Sequence, residues 1–114
     1  MAHDDFRFVT YNLHGLNQGL PFLQDLLKCN NIICVQEHWL SSCDGYKLTD
    51  VNNEFVVIAS FAVDAVLEKG ILRGRPFGGL AIFIKASIIQ NFSVVCLSDR
   101  LIAIKLNKLF ICNV

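Results

Sequence analysis

The chain has 114 residues, 54% apolar and 18% charged, with ten basic and ten acidic side chains and a formal net charge of zero. That length makes one small domain, and the apolar content excludes disorder. The balanced charge excludes a global basic field for nucleic acid, so an anionic partner must be held by a local patch. The apolar share is high for so short a chain, which points to strands buried on both faces or to covering structure that is absent. "MAHDDFRF" at the start has two acids and no apolar segment, so it is no secretory signal. The most apolar stretch, "GGLAIFIKASII", is broken by Lys85 and falls short of the roughly 20 residues that span a bilayer. The expected setting is therefore intracellular, in nucleus or cytoplasm, with no membrane partner. Cys29, Cys34, Cys43, Cys96 and Cys112 are odd in number, irregular in spacing and without a CxxC. They are expected as free, mostly buried thiols. Cys34, His38 and Cys43 could be imagined around zinc, but Cys34 and His38 share a face only on a helix, and this segment reads as a strand.

In chain order, "FRFVTYN" (6–12) alternates Phe6, Phe8 and Thr10 against Arg7, Val9 and Tyr11, the period of a strand. "LHGLNQG" (13–19) carries turn chemistry. Residues 20–30 read as a helix with Leu20, Leu23 and Leu27 on one stripe and Leu26 beside it. Pro21 fits its first turn, and Asn30 and Asn31 suit a left-handed C-terminal cap. "IICVQE" (32–37) is a second strand, completing a βαβ unit with two parallel strands and a right-handed crossover. Residues 41–53 form a polar loop, 55–60 a strand, 63–70 one or two helical turns and 72–79 a loop. Strands are expected at 80–85, 92–97, 101–106 and 109–114, the last two joined at Asn107-Lys108 as in a hairpin. A βαβ start followed by antiparallel strands predicts a mixed α/β fold, either one large mixed sheet or two sandwiched sheets with helices outside. No repeat or linker divides it.

The chemistry concentrates where the parallel strands end. Strand one ends in Asn12 and strand two in Glu37. In open α/β folds that edge of the sheet carries the ligand site. An amide oxygen and a carboxylate in one cleft suit a hard divalent cation such as magnesium, which keeps several waters. His14 and His38 lie near the same edge and could meet a phosphate or water. A solvated carboxylate and a turn-starting asparagine fit the same pattern, so the residues alone leave both readings open. "KGILRGRPFGG" (69–79) places Lys69, Arg73 and Arg75 among glycines, a patch able to grip phosphate but equally an ordinary solvated loop. Phe77 and Trp39 could stack on bases or pack in the core. No GxSxG or distinguished Cys–His pair offers a nucleophile.

Three pieces, "VTYNLHGLNQG", "IICVQEHWL" and "GRPFGGLAIFIK", stand in the order and approximate spacing of the endonuclease/exonuclease/phosphatase superfamily. They resemble most the endonuclease domain of LINE-type (non-LTR) retrotransposon polyproteins. "DRLIAIKLNKLFICNV" resembles the hairpin that leads to that family's central motif. The resemblance covers nearly the whole chain. It implies half of a four-layered α/β/β/α sandwich with a mixed, largely antiparallel sheet, residues 1–114 being the N-terminal part of one domain. It further implies magnesium or manganese as cofactor and phosphodiester cleavage in DNA. By motif, Glu37 corresponds to the metal-binding glutamate and Asn12 to the asparagine at the metal or substrate phosphate. Gly78 and Gly79 correspond to glycines that open a core strand. Arg73 and Arg75 are candidate nucleic-acid contacts on charge alone. The family's YxP, GDFN and SDH motifs are absent from these residues. The expectation is thus an enzyme fragment inactive by itself, with exposed strand edges that invite self-association. The alternatives are a phosphatase or phosphodiesterase of the same superfamily and a non-catalytic nucleic-acid-binding remnant.

Overall fold

The computed structural model describes residues 7–68, 70, 78–89 and 92–114. Its first three elements are β1 (Phe8–Asn12), α1 (Leu16–Cys29) and β2 (Ile32–Gln36). β1 and β2 pair in parallel, from Phe8 opposite Ile32 to Asn12 opposite Gln36. There follow α2 (Tyr46–Thr49), β3 (Phe55–Ser60), α3 (Ala62–Leu67), β4 (Leu80–Lys85), β5 (Phe92–Leu97), β6 (Ile102–Leu106) and β7 (Leu109–Asn113). β4 enters between β2 and β3, antiparallel to both, giving a mixed first sheet in the order β1-β2-β4-β3. β5, β6 and β7 form a separate antiparallel meander.

Two cores explain the stacking. On one face of the mixed sheet, Leu16, Leu23 and Leu27 of α1 pack with Leu13 against Ile33, Val35, Ala81 and Phe83. On the other face, Ile32, Cys34, Ile82 and Ile84 meet Ile102, Ile104, Leu106 and Ile111 of the second sheet. β2 and β4 are thus covered on both sides, which is why their sequences are near-continuous apolar runs. The layers are helices, mixed sheet, antiparallel sheet. β6 lies over β3 and β4, and β7 over β4 and β2.

Several local expectations are corrected. α1 begins at Leu16, so "LNQG" is helix rather than turn. Gly19 is there because a Cβ would stand 2.5 Å from the Leu13 carbonyl oxygen, so the helix can sit close on the β1–α1 turn. Pro21 therefore lies inside the helix, and Asn17, whose carbonyl loses that hydrogen bond, is exposed. Asn30 is extended (φ −131°) rather than left-handed, and its Nδ2 donates to the Leu26 carbonyl at 2.9 Å. Asn31 takes the Arg7 N–H on its Oδ1 at 2.8 Å, tying the start of β1 to that of β2. The polar stretch 41–53 contains a 3₁₀ turn at Ser42–Asp44 and the short α2, anchored by the buried Leu48. All five cysteines are free, but only Cys34 is buried, because Cys29, Cys43 and Cys112 sit on solvent faces of their elements.

Candidate functional site

The C-terminal ends of β1 and β2 and the approach to β4 are joined by backbone hydrogen bonds that continue past the strands. Leu13 donates to the Gln36 carbonyl at 2.9 Å, Gly15 to that of Glu37 at 2.8 Å, and Trp39 to that of Gly78 at 3.0 Å. This edge also gathers unusual backbone. His14, Gly15, Glu37, Trp39, Gly78 and Gly79 all have positive φ, from 54° to 97°. For the non-glycine residues such a conformation costs about 1–3 kcal/mol each and persists only where surroundings enforce it. Functional sites are where such strain collects.

Glu37 is half-buried, just past the end of β2. Its Oε1 accepts the Trp39 indole N–H at 3.1 Å and the Gly78 backbone N–H at 3.2 Å. Among the described residues no hydrogen bond is made to its other oxygen, which leaves that oxygen for a ligand. Asn12 is exposed at the end of β1, and its Oδ1 accepts the His14 N–H at 3.0 Å. Asn12 and Glu37 line one cleft of about 660 Å³, also bounded by Thr10, Gln36, Cys112 and Asn113. Glu37 also lines a second cleft of about 520 Å³, with Gly78, Gly79, Asp99 and Arg100. The strand ends thus bring an amide oxygen and a carboxylate to a common space. Both are hard oxygen donors, a set that suits a largely hydrated magnesium ion. No group of three His, Cys, Asp or Glu side chains able to hold a metal occurs among the described residues.

His38 does not join them. It is fully buried, and its Nδ1 accepts the Leu40 N–H at 3.0 Å. The proton therefore sits on Nε2, which donates to the Ser60 carbonyl at 2.8 Å. Burial pushes its pKa below the ordinary imidazole value, against smaller opposing effects from backbone hydrogen bonds. His38 is a neutral interior strut, because its segment turns back under Gly79 instead of into the cleft. A Cβ on Gly79 would stand 2.4 Å from its Cε1. His14 remains exposed, its ring stacked on Trp39 with centroids 6.0 Å apart. Trp39 is half-buried against Gly15, where a Cβ would meet its ring at 2.6 Å. Lys69, Arg73, Arg75 and Phe77 lie outside the described residues.

Sequence reasoning missed Gln36 and Asn113. Asn113 is buried at the end of β7, and its Nδ2 donates to the carbonyls of Val35 and Ala81, both at 2.9 Å. Its Oδ1 accepts from Gln36 Nε2 at 2.7 Å, and Gln36 also donates to Thr10 Oγ1 at 2.9 Å. One amide pair thus pins the second sheet to the first, one residue from Glu37. The available signal was an asparagine on the same strand face as Leu109 and Ile111, since a polar group there requires partners.

Solved structures share this architecture. A 3′ phosphatase (NExo) from Neisseria, bound to product DNA hairpin, superposes with a TM-score of 0.64 at 21% identity, over 96% of this chain and 40% of that one. An AP endonuclease from Archaeoglobus fulgidus gives 0.57 at 18%, over 94% and 39%. The AP endonuclease LMAP from Leishmania major gives 0.60 at 13%, over 89% and 35%. At these identities the likeness is one of fold, that of the nuclease α/β sandwich, and this chain spans about 40% of the length of the first of these proteins. No family model and no curated protein matches the chain. No helix among the described residues is long and apolar enough to cross a membrane.

Proposed function

We propose that the chain is part of a metal-dependent phosphodiester-cleaving endonuclease acting on DNA, of the LINE retrotransposon type. The observation that carries this is the shared cleft at the ends of β1 and β2, lined by Asn12 and Glu37 in a fold whose solved neighbours process DNA. Glu37 would be the principal ligand for magnesium or manganese, its carboxylate oriented by the hydrogen bonds that Oε1 accepts from Trp39 and Gly78. Asn12 supports the ion or a substrate phosphate. Bound there, the cation would supply Lewis-acid stabilisation of a phosphate. Arg73 and Arg75, a few residues before Gly78 in sequence, contribute phosphate contacts. Asn12 and Glu37 do not by themselves orient a water or protonate a leaving group, and the GDFN and SDH motifs that carry those roles in the resembling family are absent from these residues. The 114-residue chain is therefore inactive by itself.

A second reading, a phosphatase of the same superfamily, is favoured by one observation: a solved neighbour is itself described as a 3′ phosphatase. Incubation of the pure chain with supercoiled plasmid and with a 3′-phosphorylated DNA hairpin, each with magnesium, separates the outcomes. Neither substrate is expected to change, while DNA retention in a gel shift is expected to fall on changing Arg73 and Arg75 to alanine. Nicking that Glu37→Ala abolishes would overturn the inactivity. Selective loss of the 3′ phosphate would favour the second reading. No DNA retention at any protein concentration would contradict the nucleic-acid assignment.

A further inference from the structure

We propose that the acidic cleft where β3 and β5 end is a binding site for a guanidinium group, the arginine side chain of another polypeptide.

The cleft lies away from the Asn12 and Glu37 cation site. β3 is the edge of the first sheet farthest from β1, and β5 is the edge of the second farthest from β7. Where these two strands end, α3 and the β5–β6 turn bound a cleft of about 390 Å³. It shares no residue with the cleft that holds Asn12. Asp64 lines it from α3, Glu68 from just past α3, and Asp99 from the turn. No basic side chain lines it among the described residues, and Arg100, next to Asp99, lines the Glu37 cleft instead. The ion pairs among the described residues join Lys28 to Asp25 and Lys47 to Asp44, and neither reaches these carboxylates. Three acidic groups thus stand around one cleft in a chain of zero formal net charge.

Surface carboxylates are ordinarily just solvated, and Ser60 is what makes these more than that. Ser60 is 6% exposed, and its buried Oγ has no hydrogen-bond partner among the described residues. Buried side-chain polar groups mostly have one. Along β3 its side chain shares a face with Ile58, which packs on the core between the sheets. Opposite it on β4 is Leu80, a member of that core. The Ser60 hydroxyl therefore looks toward the second sheet, where Leu97, Ser98 and Asp99 form the far wall of the cleft. An N–H donor entering the cleft gives that hydroxyl its missing partner.

The kind of cation follows from how the oxygens are spread. The three carboxylates do not gather as a metal-binding group, so a point charge is poorly held. A guanidinium is planar, presents N–H donors in a rigid fork and is more weakly hydrated than an ammonium. It meets separate oxygens at once, each through a charge-assisted hydrogen bond. Asp64 already accepts the Ser42 N–H on its Oδ1 at 2.9 Å, which leaves Oδ2 for such a ligand. The exposed Leu97 offers an apolar rest for the methylene stem. The acidic lining repels the carboxylate of free arginine, so the group is better presented on a polypeptide, whose backbone carries no charge beside it.

The test is an amide NMR titration of the full chain with acetyl-arginine-amide. Saturable shifts are expected at residues 60–64 and 97–99. Acetyl-lysine-amide should bind at least about fivefold more weakly, because an ammonium does not span the oxygens. Acetyl-citrulline-amide, uncharged and of the same shape, should not bind. Glu68→Gln combined with Asp99→Asn should weaken the arginine probe about tenfold, and Ser60→Ala about threefold. Glu68 and Asp99 are exposed, so the double variant keeps the test free of any folding defect at Ser60. Equal binding of the two cationic probes, shifts spread over Asp25, Asp44 and Asp50, or an affinity untouched by the double substitution would overturn the site. Free arginine bound as tightly as the blocked probe would make a small molecule the ligand and overturn the polypeptide source.

Discussion

β4 and β5 are both six residues long and both apolar in sequence, yet their fates differ. Leu80 to Ile84 are all buried, whereas Val94, Val95 and Leu97 of β5 are among the most exposed apolar side chains of the chain. β4 lies between two strands and two layers, so each of its faces has a partner. β5 is an edge strand of a sheet covered on one side. Burial is set by position in the stack rather than by residue type, and the exposed apolar surface of the second sheet is the counterpart of the filled core of the first.

Substitutions sharpen that contrast, and the largest effect belongs to the inner strand. Phe83 is fully buried against α1, so Phe83→Ala should cost about 3–5 kcal/mol in chemical unfolding. A cost below 1 kcal/mol would mean that the helix layer is not packed as described. Next is Gly79→Ala, which combines φ +97° with a Cβ 2.4 Å from the His38 ring. Strain and overpacking together put it at about 2–4 kcal/mol, with the loss recovered in part when His38 is also made smaller. Asn113→Ala should cost about 1–3 kcal/mol, because it leaves Gln36 and two strand carbonyls short of partners between the sheets. At the far end of the scale, Val95→Thr on the exposed β5 should fall within about 0.5 kcal/mol of the parent.

Acid should act on the buried side as well. His38 is held neutral, with its pKa below the ordinary value, so the unfolded chain binds its proton more readily. Stability from this group is complete above the unfolded imidazole range and declines as pH falls through the lower folded value. The melting temperature should therefore drop between neutral pH and mildly acidic pH, and a neutral replacement of His38 should flatten that slope. Thiol chemistry divides the cysteines in the same way. Cys34, whose pKa burial pushes up to about 11, should label only on unfolding, while exposed Cys29, Cys43 and Cys112 react in the native state.

Much of this was legible in order along the chain. The strands at 55–60, 80–85 and 92–97 were read with their observed bounds, since turn residues bracket each apolar run. The βαβ unit and the parallel pairing followed from periodicity, and with them the meeting of Asn12 and Glu37 at one edge. What stayed hidden had no local signature. Gly15 and Gly19 read as turn residues, though Gly19 is helical for a close approach to Leu13 that only the folded chain creates. Positive φ at Glu37 and Trp39 is imposed by hydrogen bonds to Gly15 and Gly78, distant in sequence. From its place after Glu37, His38 is expected near the same edge, able to meet a phosphate or water, yet the left-handed turn at Glu37 sends it into the interior. Asn113 looked like the end of an apolar strand because its partners lie 32 and 78 residues away.

A manganese titration followed by amide NMR line broadening would probe the cation site at atomic detail. Broadening is expected first at residues 12–14, 37–39 and 78–79, and it should vanish in Glu37→Gln while the spectrum otherwise stays that of the folded chain. Broadening centred instead on Asp64, Glu68 and Asp99, or unchanged by Glu37→Gln, would contradict a cation site built from the ends of β1 and β2.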